Sequence, residues 1–275
     1  MRILGVKFEF VDINSNTLVI DEKECLKRLQ SHKDYYAGIV YVRTYGFLSD
    51  TTQFSKACRE LQPALKILDD RCLCMPERHP KMFSSDMVLY STGHCKPIDF
   101  NGGGLAFYNQ VETYQIDSNL EYLGINEEAL YKQTFAENKP FSTIPTGWLK
   151  QDTYLDSDTY LSNIEKTKKE SLFHRKAINS IYSSLLPEYV QYPPEYNSWR
   201  FNIRVPQHLK EGILQTLFEN GLFASSHYRS ANKLFDQEIF LHSDELFATV
   251  INLFNDKYFS IEKAMKTVKI INSIL

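Results

Sequence analysis

The sequence lacks any apolar run approaching the ~20 residues that a membrane-spanning helix needs. Its opening, Met1-Arg-Ile-Leu-Gly-Val-Lys-Phe-Glu-Phe10, carries neither the long apolar core nor the cleavage site of a secretory leader. Cysteine is sparse and odd in number, five in 275 residues, without the spacing of a disulfide framework. Reduced thiols in a cytoplasmic setting are the expectation. Neither sign of charge is in excess: the net charge of -3 gives no electrostatic pull toward nucleic acid or an anionic membrane. There is no internal repeat and no low-complexity segment. What is present is an ordinary globular composition, 43% hydrophobic and 24% charged, with enough chain for one large domain and a smaller one.

The first hundred residues alternate strand and helix signals. Strands are predicted at 6–11, 36–42, 65–68, 87–90 and 105–108. A short helix over 21–29 has an acidic first turn and a basic end, which suits the helix dipole. Ser49 or Asp50 is positioned to cap a second helix, whose apolar side carries Phe54, Cys58 and Leu61. Strands separated by helices predict a largely parallel sheet with its site at the strands' carboxyl ends. From Glu127 the texture changes. A helix is predicted over 127–137, a break over 140–145, and a long helix over 156–186 with Tyr160, Ile164, Leu172, Ile178, Ile181 and Leu185 on its apolar stripe. Pro187 and Tyr192-Pro-Pro-Glu-Tyr196 end it. A smaller α+β unit follows: a strand over 199–205, a helix over 207–220 stopped by Gly221, a second short strand over 223–228, and a closing helix over 261–275.

The stretch richest in chemistry is Ser91-Thr-Gly-His-Cys-Lys96-Pro-Ile-Asp-Phe-Asn101-Gly-Gly-Gly104. A single lysine delivered to the end of a strand is what Schiff-base chemistry needs, because the amine must be fixed and partly desolvated for its neutral form to be accessible. Upstream, Leu65-Lys-Ile-Leu-Asp69-Asp70 reads as a buried strand ending in carboxylates. Lysine for an aldehyde and a carboxylate for a ring nitrogen suggest a pyridoxal-phosphate (PLP) site. Plainer readings stand beside it. Lys96 could be an exposed loop lysine, Asp69 and Asp70 could cap the next turn, and Ser91 could be a turn hydroxyl. Gly102, Gly103 and Gly104 more generally mean a tight turn. His227 reads more readily as a satisfied interior histidine than as a catalytic one, and the basic run 166–169 as a solvated helix face. Cys72-x-Cys74 and His94-Cys95 invite zinc, but with only one close pair, small apolar cysteines packed around strand ends fit better.

With those residues in hand, the chain resembles the DegT/StrS-type sugar aminotransferases, which are fold-type I PLP enzymes. Phe10-Val-Asp12-Ile with Thr17-Leu-Val-Ile-Asp21, Val42-Arg43-Thr-Tyr45-Gly46, Ile67-Leu-Asp69-Asp70, residues 91–104, Gly221-Leu-Phe-Ala-Ser-Ser-His227-Tyr228 and Val250-Ile-Asn-Leu253 resemble that family's landmarks, in order. The resemblance implies an α/β fold: a mostly parallel sheet with helices over residues 1–155 forming the PLP-binding large domain, then a long connecting helix and small α+β domain over 156–275. It implies Lys96 as the covalent anchor and proton shuttle, Asp70 as partner of the pyridine nitrogen, and Ser91 as a phosphate contact. The implied reaction is amination of a nucleotide-linked keto sugar from an amino acid donor such as glutamate, in polysaccharide biosynthesis, by a cytoplasmic homodimer. The sequence departs from the family's pattern at Arg43, where histidine is usual, and at Leu73, where glutamine is usual. The family's Asn-x-Arg segment has no clear match near Gly147-Trp148-Leu149. The resemblance also puts a phosphate-holding turn and two strands ahead of the point that matches Met1. Weaker cofactor binding than in a relative that carries them is therefore expected, and the alternative is a non-catalytic shortened relative that acts as a dimer partner or as half of a split enzyme.

Overall fold

The computed structural model describes residues 6–100, 102–109, 156–231 and 239–275. The helix expected at 127–137, the break at 140–145 and the Gly147-Trp148-Leu149 segment lie outside the described residues.

Alternation of apolar residues builds the first sheet. Strands β1 (Gly38–Val42), β2 (Lys66–Asp70), β3 (Met87–Ser91) and β4 (Gly104–Tyr108) lie in the order β1-β2-β3-β4. The first two pairings are parallel and β4 returns antiparallel to β3, with Val42 opposite Asp70 and Ser91 opposite Gly104. Ile39, Tyr41, Ile67, Val88 and Tyr90 point to one face and are buried. Helices α1 (Glu22–Ser31) and α2 (Thr52–Leu61) close that face with Cys25, Leu29, Phe54 and Cys58. The opposite face carries Val42 and Tyr108, which are 48% and 43% exposed. The chain is an α/β protein with a mostly parallel sheet.

Local chemistry explains the helix starts. The Asp21 carboxylate accepts the Lys23 and Glu24 amides at 3.0 and 3.1 Å, satisfying donors that the first turn cannot. The N-cap of α2 is Thr51, not the expected Ser49 or Asp50, and its side chain makes no capping bond; Asp50, one residue ahead, accepts the Thr52 amide at 2.8 Å, while Ser49 turns to Arg43. Residues 6–11 do not pair as the strand expected there. Phe8 packs edge-on against Phe10 at 5.4 Å and Val6 is 49% exposed, and among the described residues no strand pairs with this segment.

Helix α3 (Ser157–Leu185) begins at Asp156, which accepts the Thr159 amide at 3.0 Å. Its first half packs on loops of the first sheet through Tyr160, Lys168 and Ser171. Its second half enters a separate core with Ile178 and Tyr182. Leu172 and Leu185, expected on the buried stripe, are 47% and 43% exposed; Arg175 and Tyr182 take the inner positions. The second sheet is antiparallel in the order β5-β7-β6, from β5 (Phe201–Arg204), β6 (Ala224–Ser225) and β7 (Val250–Leu253). Helices α4 (Gln207–Glu219), α5 (Leu241–Thr249) and α6 (Ile261–Ile274) pack around it. The expected strand over 223–228 shortens to two residues, and the chain then runs on through His227 toward the first sheet. Among the described residues no helix is long and apolar enough to cross a membrane.

Candidate active site

Three chain ends meet at the carboxyl edge of the first sheet: the turn after β1, the turn after β2, and the long loop between β3 and β4. Each is built for close approach. After β1 the chain turns through Tyr45 and Gly46 at positive φ, and a Cβ on Gly46 would fall on the Leu73 carbonyl oxygen. The loop after β3 closes on itself at buried Thr92. Its amide donates to the Gly103 carbonyl at 3.0 Å, its hydroxyl bonds Gly102 O at 2.7 Å, and Tyr160 OH lies 2.5 Å away. Gly103, also at positive φ, leaves room for that tyrosine, since a Cβ there would clash with its hydroxyl.

Lys96 lies inside this loop, whose backbone is held on either side of it from the turn before β5 and from helix α3. The Trp199 indole N–H donates to Cys95 O at 2.8 Å, and the Ser171 hydroxyl to Pro97 O at 2.8 Å. Lys96 N itself donates to Gly93 O at 3.2 Å. The side chain is half-buried, and among the described residues Nζ has neither a hydrogen-bond acceptor nor a carboxylate within ion-pair distance. Ser91, at the end of β3, is half-buried, and its Oγ accepts the Gly93 amide at 3.2 Å.

The two aspartates that end β2 face opposite ways, as the period of a strand requires. Asp69 is buried and doubly paired: Arg43 reaches it at 2.7 and 2.8 Å, and Arg71 at 3.0 and 2.8 Å. Both guanidiniums are fully buried beside the Phe83 ring, at 5.7 and 5.2 Å from its centroid. Asp70 is half-buried on the other face. It accepts the Cys72 amide at 2.9 Å and, among the described residues, has no cation within 4 Å.

Charges of the neighbours show what surrounds Lys96. The Cys72 thiol is pushed up to about 12, first by burial and then by the Asp70 charge and hydrogen bond, with the Lys96 ammonium opposing. His227 is pulled below its usual value, first by burial and then by Arg200 and Lys96. The lysine charge is therefore felt by Asp70's neighbour on the first sheet and by His227 from the second. His227 is held by its amide to Asn252 Oδ1 at 2.7 Å and by its carbonyl, which accepts the Tyr45 hydroxyl at 2.5 Å. Trp199 lies near-parallel to both Tyr45 (6.4 Å, 8°) and Tyr228 (6.0 Å, 13°), so aromatic rings cluster beside the residue that holds the Lys96 loop.

A histidine whose folded pKa is depressed contributes stability that is full above about pH 6.5 and falls as acid drives protonation of the unfolded state first. His227→Gln is accordingly expected to flatten the loss of urea resistance between about pH 6.5 and 5. Parallel acid limbs in the two proteins would contradict this.

Lys96, Asp70 and Ser91, predicted as site residues, lie at adjacent strand ends in this geometry. Trp199, Tyr45, Cys72 and Asn252 were not singled out as site residues by the sequence, because each acts across a long separation or from a position whose facing depends on tertiary pairing.

No protein-family model matches the sequence, and no curated protein matches it. Solved structures do. The sugar aminotransferase CalS13 from Micromonospora echinospora superposes with a TM-score of 0.67 at 15% identity, over 98% of this chain and 75% of that one. Helicobacter pylori PseC, an aminotransferase involved in the biosynthesis of pseudoaminic acid, gives 0.65 at 16% identity, over 98% and 74%. A DegT DnrJ EryC1 StrS aminotransferase from Brucella abortus gives 0.61 at 15% identity, over 96% and 72%. At these identities what is shared is the fold: the chain has the architecture of the DegT/StrS-type, PLP-dependent aminotransferases and spans about three quarters of the length of each.

Proposed function

We propose that the chain is a PLP-dependent aminotransferase acting on sugars. What carries this reading is a pair of unspent charges. Among the described residues, Lys96 is a half-buried amine without an anion and Asp70 a half-buried carboxylate without a cation, and the Cys72 thiol feels the charge of both. Surface charges left single are commonplace, but two of opposite sign, half-buried at adjacent strand ends and kept from pairing with each other, suit a ligand that needs both. The residues fit PLP on chemical grounds: an amine for its aldehyde, an anion for its ring nitrogen, and the Ser91 hydroxyl for its phosphate. When bound, the cofactor supplies an electron-withdrawing ring and an aldehyde that carries an amino group from donor to acceptor.

The chain's own residues do the rest. Asp70 holds a proton on the ring nitrogen through a charge-assisted hydrogen bond. Lys96 Nζ would take a proton from the donor's α-carbon and return one to the acceptor carbon. A neutral His227 keeps a further positive charge away from that amine. Trp199 and the loop closure at Thr92 fix the lysine backbone, so that only the side chain swings.

The finer reading is a nucleotide-linked keto sugar as acceptor and glutamate as donor, in polysaccharide biosynthesis, by a cytoplasmic homodimer. Two neighbours bear on it: CalS13 is described as a sugar aminotransferase, and PseC as one involved in making pseudoaminic acid. The free thiols of all five cysteines suit a reducing compartment, and the exposed Val42 and Tyr108 face suits burial against a second copy. Borohydride reduction of the PLP-loaded protein followed by peptide mapping tests the function. The pyridoxyl label is expected on Lys96. A label on another lysine, or one undiminished in Lys96→Ala, would overturn the assignment.

A further inference from the structure

Helix α3 passes from the first sheet's loops to the second core between Ser171 and Ile178, and one arginine stands at the crossing. Arg175 is 5% exposed, and among the described residues no carboxylate lies within ion-pair distance of its guanidinium. Asp256, whose charge reaches it, is taken by Arg200 at 2.6 Å. Burying a cation without its own anion is costly, and an apolar side chain would pack there with less penalty. What the guanidinium provides is reach in several directions at once, from five N–H donors on a rigid plane. Those donors converge on the loop that carries Lys96. The carbonyls of Cys95, Lys96 and Pro97 each meet a different donor: Trp199 Nε1 at 2.8 Å, Arg175 Nη2 at 3.5 Å and the Ser171 hydroxyl at 2.8 Å. Arg175 also bonds both of the outer two holders, through Nε to Ser171 Oγ at 3.1 Å and through Nη1 to Trp199 O at 2.6 Å. Nη1 reaches Asn255 Oδ1 as well, just past β7. The contact to Lys96 O is the weakest of these; the shorter ones set where Trp199 and Ser171 stand.

We infer that Arg175 is the positioning residue of Lys96: it ties helix α3, the turn before β5 and the 95–97 carbonyls into one unit, so that the lysine backbone is held still while Nζ swings. This rests on the aminotransferase reading for its purpose but not for its geometry. A guanidinium that served only the junction of the two cores would behave differently, since its loss would loosen both cores and the loop alike.

The test has one arm without cofactor and one with it. In the cofactor-free protein, amide hydrogen exchange read by mass spectrometry compares the parent with Arg175→Lys, which keeps the charge but not the planar fork. Exchange over 93–100 is expected to quicken by about tenfold, with β1 and β2 unchanged. An unchanged 93–100 segment, or the same quickening in every peptide, would overturn the inference. Arg175→Met, which also removes the buried charge, takes the place of Arg175→Lys if that variant does not fold. Failure of both to fold would make the arginine a structural residue only and overturn the inference too. In the PLP-loaded protein, Arg175→Lys is expected to slow the half-reaction with an amino acid donor by about 10²-fold, the penalty for a reacting group displaced by about 1 Å. In Lys96→Ala supplied with methylamine, the proton-transferring amine is no longer attached to the loop. There the same change is expected to alter the rate by less than about twofold. Equal losses in the two backgrounds, or a parent-like rate in Arg175→Lys alone, would contradict a positioning role. Should the protein bind no PLP, the functional reading fails, while the exchange arm still decides whether Arg175 holds the loop.

Discussion

Asp69→Ala is expected to cost the fold about 3–5 kcal/mol, the range for breaking a buried ion pair by removing one partner. The carboxylate is the counter-ion of two fully buried guanidiniums, and four N–H donors point at it. Take it away and, among the described residues, Arg43 keeps Ser49 and Thr51 as acceptors, while Arg71 keeps Tyr90 OH and Lys81 O. These neutral acceptors satisfy hydrogen bonds but cancel no charge. Two like cations then share the Phe83 ring in a low-dielectric pocket. A loss of that size is a large part of the net stability of an ordinary domain. Urea unfolding at constant slope measures it. A loss below about 1 kcal/mol would show that water enters and screens the pair. The combined variant Asp69→Leu, Arg43→Met, Arg71→Met separates charge from packing. It is expected to unfold close to the parent, because apolar residues of similar volume remove the desolvation penalty along with the attraction.

That triad also shows where sequence reasoning stopped. Strand periodicity says that Asp69 and Asp70 face opposite ways, yet it does not say which face is covered. The answer needs the pairing of β1 with β2: Val42 stands opposite Asp70, and Arg43 follows it into reach of Asp69. Arg43, notable in the sequence only for standing where the resembling family has histidine, is therefore part of a buried charge cluster. The Asp69-x-Arg71 spacing was a usable signal, since residues two apart in extended chain share a face. Local rules worked where the cause was local, as at the Asp21 and Asp156 caps and in the central strands. They failed where burial depends on a neighbour. Residues 6–11 alternate as a strand does but pair with no strand among the described residues, and Leu172 and Leu185 hold the helical period but stay 47% and 43% exposed. Trp199, which fixes the loop carrying Lys96, bonds across 104 residues, and no spacing rule reaches that far.

On the proposed aminotransferase reading, Lys96→Ala is expected to lower the rate of the half-reaction with an amino acid donor by about 10³-fold or more, since positioned acid–base groups contribute about 10²–10⁴ and this one amine would serve on both sides of the transfer. The fold should survive the change. The loop is held by Thr92, Trp199 and Ser171 through backbone atoms at Gly103, Cys95 and Pro97, none of which the substitution touches. Nζ leaves no described partner stranded, so the melting temperature should stay near the parent's. Lys96→Arg separates charge from proton transfer. It keeps a cation at the site but offers no amine that can lose its proton near neutral pH, so its loss should match that of alanine. Only the alanine variant leaves a space, and only there should added methylamine recover part of the rate, with dependence on the concentration of the free base. The half-reaction is followed by the cofactor absorbance after loading with PLP. A Lys96→Ala rate within about tenfold of the parent, or equal recovery by methylamine in both variants, would move the proton-transferring group away from Lys96 and leave this loop a structural one.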